Sequence, residues 1–104
     1  MLNIAKSEIK NVFLENNIEI SKIILFGSRV KNQAKVDSDW DFLVITKDNI
    51  NIDIKDKIIS DIQRNLAKNK LFCDIIIRSS KRYNILKYIT GDISYYINKE
   101  GVVI

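Results

Sequence analysis

Asp39 and Asp41 bracket Trp40 at the head of an apolar run that continues through Phe42, Leu43, Val44 and Ile45. On a strand, side chains two apart share a face about 6.5–7 Å apart, so the two carboxylates are expected to point the same way. Like charges held together in a partly desolvated place raise each other's pKa and cost stability unless a cation lies between them. Magnesium suits the pair, being a hard ion that takes carboxylates, water and substrate phosphate rather than a full protein cage. Upstream, the β-rich run of residues 23–26 stops at Gly27-Ser28. Glycine lets backbone approach a phosphate closely, and a serine hydroxyl with neighbouring N–H groups can hold its oxygens. Gly-Ser after a strand, or Asp37-Ser38-Asp39 by itself, would be ordinary turn chemistry. The embedded Asp41 is what turns the combination into a phosphate and metal site.

A third carboxylate repeats the pattern. Asp74 lies inside the β-rich block of residues 71–77, among Phe72, Cys73, Ile75 and Ile76. If that strand runs beside the one carrying Asp41, Asp74 completes a set able to bind two metal ions about 3.5–4 Å apart. The alternative is an edge-strand Asp paired with Lys or Arg.

Elements must position these groups. Ala5, Ile9, Val12 and Phe13 fall at helical spacing, predicting a first amphipathic helix over residues 7–15 that ends at Asn16-Asn17. A strand is expected at 22–26 and one helical turn over 28–35, with its free N–H groups at Gly27-Ser28 and Asn32 suited to a left-handed backbone. After the Asp41 strand, Ile54, Ile58, Ile59, Ile62 and Leu66 mark the longest helix. Ser79-Ser80 is suited to cap another through Ile85, Leu86 and Ile89, with a break at Gly91-Asp92 before Ile93, Tyr96 and Ile97. The apolar end, Val102 to Ile104, either finishes the sheet or packs on a partner. The four tyrosines, all in the last third, are expected mostly to pack with a wet hydroxyl.

Composition bounds the chemistry. A chain of 104 residues, 46% hydrophobic, suits a single domain spanning 1–104. The net charge of +4 is dispersed, which favours anionic ligands without requiring direct contact with nucleic acid. Histidine is absent, removing imidazole acid–base chemistry and His metal sites, and the single Cys73 excludes an intramolecular disulfide and Cys-cluster zinc. No run reaches membrane-spanning length and the start lacks a secretory pattern, so a soluble, cytoplasmic protein is expected.

Gly27-Ser28, ten intervening residues, then Asp39-Trp40-Asp41, with Asp74 on a later strand, resembles the nucleotidyltransferase superfamily of the DNA polymerase beta type. The resemblance covers most of the chain. It implies an α+β, two-layer fold, with a small mixed β-sheet and helices packed mainly on one face. The short length and Arg29 after Gly-Ser look most like the minimal nucleotidyltransferases, antitoxin halves of two-gene pairs whose other half is a HEPN-domain ribonuclease toxin. Implied by that resemblance is transfer of AMP from ATP to a hydroxyl of the toxin, a tyrosine in the family. Gly27, Ser28 and Arg29 would bind the nucleotide, and Asp39, Asp41 and Asp74 would hold two Mg2+ ions, Asp74 doubling as base. Where many relatives have Gly and Pro, this chain has Asn32 and Val36, neither a loss of a catalytic group. A heteromeric complex with the toxin is expected, and a homodimer is possible. Larger relatives carry a second domain that presents the acceptor; with a single domain expected here, the acceptor is expected to be brought by another molecule. Two other readings stay open: an antitoxin that silences its partner by binding alone, and nucleotidyl transfer to a small molecule.

Overall fold

In the computed structural model, which describes residues 1–31 and 38–104, a four-stranded mixed sheet runs in the order β3-β2-β1-β4. Its strands are β1 (Ile20–Phe26), β2 (Trp40–Thr46), β3 (Cys73–Ser79) and the two-residue β4 (Val102–Val103). β1 pairs antiparallel with β2 and with β4, whereas β2 and β3 are parallel. Parallel neighbours need a crossover, supplied by the long helix α2 (Ile52–Ala67).

Alternation along the strands sorts the side chains onto two faces. Ile23, Leu25, Phe42, Val44, Ile75 and Ile77 form one face, and it is covered by α1 (Leu2–Glu15) and α2. From α1 come Ala5, Ile9, Val12 and Phe13; from α2 come Ile58, Ile62 and Leu66, each almost fully removed from water. Burial of each of the six larger side chains contributes about 1.5–3 kcal/mol, and Ala5 less, so these seven positions fasten both long helices to the sheet. On the opposite face, Ile24, Leu43 and Ile45 meet Tyr83 of α3 (Ser80–Leu86) and Ile97 of α4 (Ile93–Glu100). These helices are half as long and leave part of that face open.

The boundaries follow local chemistry. α1 starts five residues before the predicted position, since Leu2 to Lys6 continue its stripe, and it ends where Asn17 turns to φ 56°. Asn51 and Ser79 each cap a helix by accepting a backbone N–H three residues on. α3 stops at Leu86 rather than reaching Ile89, and its buried anchor is Tyr83; Ile85 and Ile89 are exposed. Ile54 also faces outward, because α2 turns only Ile58, Ile62 and Leu66 squarely to the sheet. Of the tyrosines, only Tyr83 is buried, its hydroxyl donating to Asn98 Oδ1 at 3.2 Å, while Tyr88 and Tyr96 are exposed. The chain end completes the sheet through β4, although Val102 and Val103 themselves are exposed. Among the described residues, no helix is long and apolar enough to cross a membrane.

Candidate active site

All the groups singled out in the sequence come from one end of the sheet. β1 finishes there while β2 and β3 begin there, so Phe26 stands opposite Asp41, and Asp41 stands in register with Asp74. Adjacent strands are about 4.8 Å apart, and in-register residues of a parallel pair share a face. Asp41 and Asp74 therefore project together, on the side that also carries Leu43, Ile45 and Ile76 and that α3 and α4 cover only partly. Asp39 lies one residue before β2 and is exposed, as is Asp74; Asp41 is half-buried.

Electrostatics records the crowding. The carboxyl of Asp41 is held above its usual value of 3.8, first by burial and then by the charges of Asp74 and Asp39. Cys73, buried beside them, has its thiol pushed up to about 11 by burial and the same two carboxylates. A thiol held neutral in this way is a packing group, not a nucleophile.

Gly27 closes the other side. Its φ of 82° favours glycine, and an added Cβ would collide with Asp41 Oδ2 and sit 3.1 Å from the Asp41 carboxyl carbon. The backbone of the Gly-Ser corner thus lies directly against the carboxylate. The expected helical turn begins here as a three-residue 3-10 element, Gly27–Arg29, continued by Val30 N–H donating to Gly27 O at 3.2 Å. Its predicted continuation to residue 35, with Asn32, Val36 and Asp37, lies outside the described residues.

Arg29 and Trp40 form a contact that spacing did not foretell. The guanidinium carbon stands 4.4 Å from the centre of the Trp40 ring, and Nη2 donates to the Ser38 carbonyl at 2.7 Å. Trp40 N–H in turn donates to Phe72 O at 2.9 Å, tying the start of β2 to the approach of β3. Lys31, just beyond the corner, pairs with Glu100 of α4 at 2.8 Å, and a cavity of about 150 Å³ opens between Gly27, Lys31 and the α4 residues Ile93 and Tyr96.

Among the described residues, no three Asp, Glu, Cys or His side chains gather tightly enough to cage a metal by themselves. Magnesium does not need such a cage, since it keeps waters and takes phosphate oxygens beside one or two carboxylates. Two observations fit it: an all-oxygen donor set, and an Asp41 carboxylate whose ionisation burial and its acidic neighbours oppose, packed directly against the Gly27 corner.

The family model described as polymerase beta, nucleotidyltransferase matches residues 7–104. No curated protein matches the sequence significantly. Solved structures share the fold, two of them toxin-antitoxin structures. One is a toxin-antitoxin crystal structure with AMP-PNP, at TM-score 0.59 and 16% identity. The other is a mutant of the toxin-antitoxin MntA-HpeT, at TM-score 0.56 and 14% identity. Each alignment covers 93% of this chain and 69% of the other.

Proposed function

The chain belongs to the polymerase beta nucleotidyltransferase family, and from that premise we propose that it is a magnesium-dependent adenylyltransferase of the antitoxin kind, acting on a hydroxyl of a partner ribonuclease toxin. The observation that carries this reading is the register of Asp41 with Asp74 beside the Gly27 corner. Two fold relatives described as toxin-antitoxin structures support the partner, and AMP-PNP in one of them, an ATP analogue, supports the nucleotide.

Each residue then has a task. Backbone at Gly27 and the Ser28 hydroxyl hold the terminal phosphates of ATP, with Arg29 part of the same nucleotide site. Asp39 and Asp41 are the ligands for Mg2+, joined by Asp74. When bound, the metal neutralises the triphosphate and makes the acceptor hydroxyl easier to deprotonate. Asp74, exposed at the rim, takes the proton as the acceptor oxygen bonds to the α-phosphorus. The bond from that phosphorus to the bridging oxygen breaks, and pyrophosphate leaves. The charge is spread over oxygens, so positioning and electrostatics supply the catalysis. The acceptor is a side-chain hydroxyl, a tyrosine by family likeness, on a HEPN-type ribonuclease sharing the cytoplasm and held in a heteromeric complex.

The decisive experiment incubates the protein with labelled ATP, Mg2+ and the product of the adjacent gene, beside Asp39→Asn and Asp41→Asn. Label should pass to the partner only with the unaltered protein. Neutralisation of the partner by both variants, without any label transfer by the parent, would leave occlusion as the mechanism.

A further inference from the structure

We infer that Arg29 is the positioning residue that aims Asp39, clamping the chain on both sides of it. Asp39 needs such a device. It lies ahead of the first register pair of β2 with β3, Trp40 with Cys73, and among the described residues it has no register partner of its own; its following peptide is tied by Trp40 N–H donating to Phe72 O at 2.9 Å. Arg29 grips both residues that flank Asp39. The guanidinium donates to the carbonyl of Ser38 at 2.7 Å and stands 4.4 Å from the centre of the Trp40 ring. All three residues are half-buried, which strengthens both contacts relative to a fully solvated pair.

The clamp also joins the two halves of the site. Arg29 is the last residue of the 3-10 turn that starts at Gly27, so one side chain ties the phosphate corner to the metal-binding strand. A shift of about 1 Å in such an arrangement is enough to cost a reaction a hundredfold. The chemistry demands arginine. A flat guanidinium stacks on indole while directing an N–H at a carbonyl; a lysine ammonium carries the same charge without the plane or the fork. The inference rests on the proposed metal site and adds to it a role for Arg29 that does not depend on touching phosphate.

The substitution Arg29→Lys separates the roles, because it keeps the charge and removes the clamp. Mn2+, standing in for Mg2+, is titrated by calorimetry into the parent protein, Arg29→Lys and Asp41→Asn without nucleotide. Emission of Trp40, the sole tryptophan, is recorded for the first two. Arg29→Lys should weaken Mn2+ binding about tenfold or more, as loss of a group supporting metal ligands does, and should change Trp40 emission. In turnover it should lower kcat by a similar factor while moving KM for ATP less than about twofold. Trp40→Leu, which removes the stack and spares the hydrogen bond, should also weaken Mn2+ binding, and it serves if Arg29→Lys does not fold. A rise in KM alone would make Arg29 a phosphate ligand and overturn the inference. Unchanged Mn2+ affinity in both variants would overturn it too. A parent protein that binds Mn2+ no better than Asp41→Asn would remove the metal site, and the inference with it.

Discussion

A Cβ built on Gly27 would lie 3.1 Å from the carboxyl carbon of Asp41 and in collision with its Oδ2. The residue that follows β1 and the acid in the second position of β2 are thus fitted to each other, and that fit makes Gly27 sensitive twice over. Gly27→Ala must hold a side chain at φ 82°, which costs about 1–2 kcal/mol, and must displace a carboxylate as well. Urea denaturation should show a loss of at least that size. Mn2+ affinity should fall with it; unchanged binding would show that the corner and the carboxylate are independent.

Asp41 is a stability liability in the metal-free protein. Its native carboxyl binds a proton more readily than the unfolded chain does, so stability falls as pH rises from 3.8 through the higher native value, and the penalty is fully present at neutral pH. Asp41→Asn should therefore melt a few degrees above the parent at pH 7, with the gap closing near pH 4. Mg2+ should raise the melting temperature of the parent and not of the variant. A variant less stable than the parent at pH 7 would contradict the electrostatic account.

Ser28 is half-buried at the corner and carries no packing load in either apolar cluster. Ser28→Ala should leave the melting temperature unchanged while weakening ATP. Loss of a hydrogen bond to a charged oxygen, about 1.5–3 kcal/mol, corresponds to a rise of roughly tenfold or more in the Kd for ATP. Calorimetry with an unreactive ATP analogue reads this directly.

Asp92 anchors the helix that borders the site. Its carboxylate accepts the backbone N–H of Ser94 at 2.8 Å, capping α4, and meets Arg78 at 2.5 Å. The cap bond and Arg78 hold its carboxyl below the usual 3.8, so its stabilisation is complete above that value and is lost as pH falls through the lower native one. Asp92→Ala should cost about 1 kcal/mol at pH 7 in chemical denaturation. Asp92→Asn, which keeps a capping oxygen, should cost less.

Much of the fold was legible because periodicity reports burial directly. Ala5, Ile9, Val12 and Phe13 repeat at helical spacing since one face of α1 meets the sheet, and all four are buried. The reading weakened where exposed apolar residues imitate a core. Ile85 and Ile89 extended the apparent stripe of α3, yet both face solvent, and Tyr83 carries that helix. A tyrosine is ambiguous in a sequence because its ring suits a core and its hydroxyl suits water.

The candidate site divides in the same way. Residue types at local spacing were enough to mark Gly27-Ser28 and Asp39-x-Asp41 as candidates, although strand alternation governs only Asp41, since Asp39 lies one residue before β2. The arginine clamp was not legible. Arg29 and Trp40 are separated by a stretch whose path no local rule gives, and a guanidinium after Gly-Ser reads equally as a phosphate ligand or a solvated side chain.

By itself, the sequence determined where the principal helices and strands lie, though not all their ends, and which oxygen ligands exist at all, because an absent histidine and a lone cysteine leave carboxylates as the chemical tools. Only the tertiary structure decided that β3 lies parallel beside β2 with Asp74 in register with Asp41, and that Arg29 reaches back to both neighbours of Asp39. Strand order and register are fixed by packing of α1 and α2 on one face, a property of the whole core that no single stretch of chain carries.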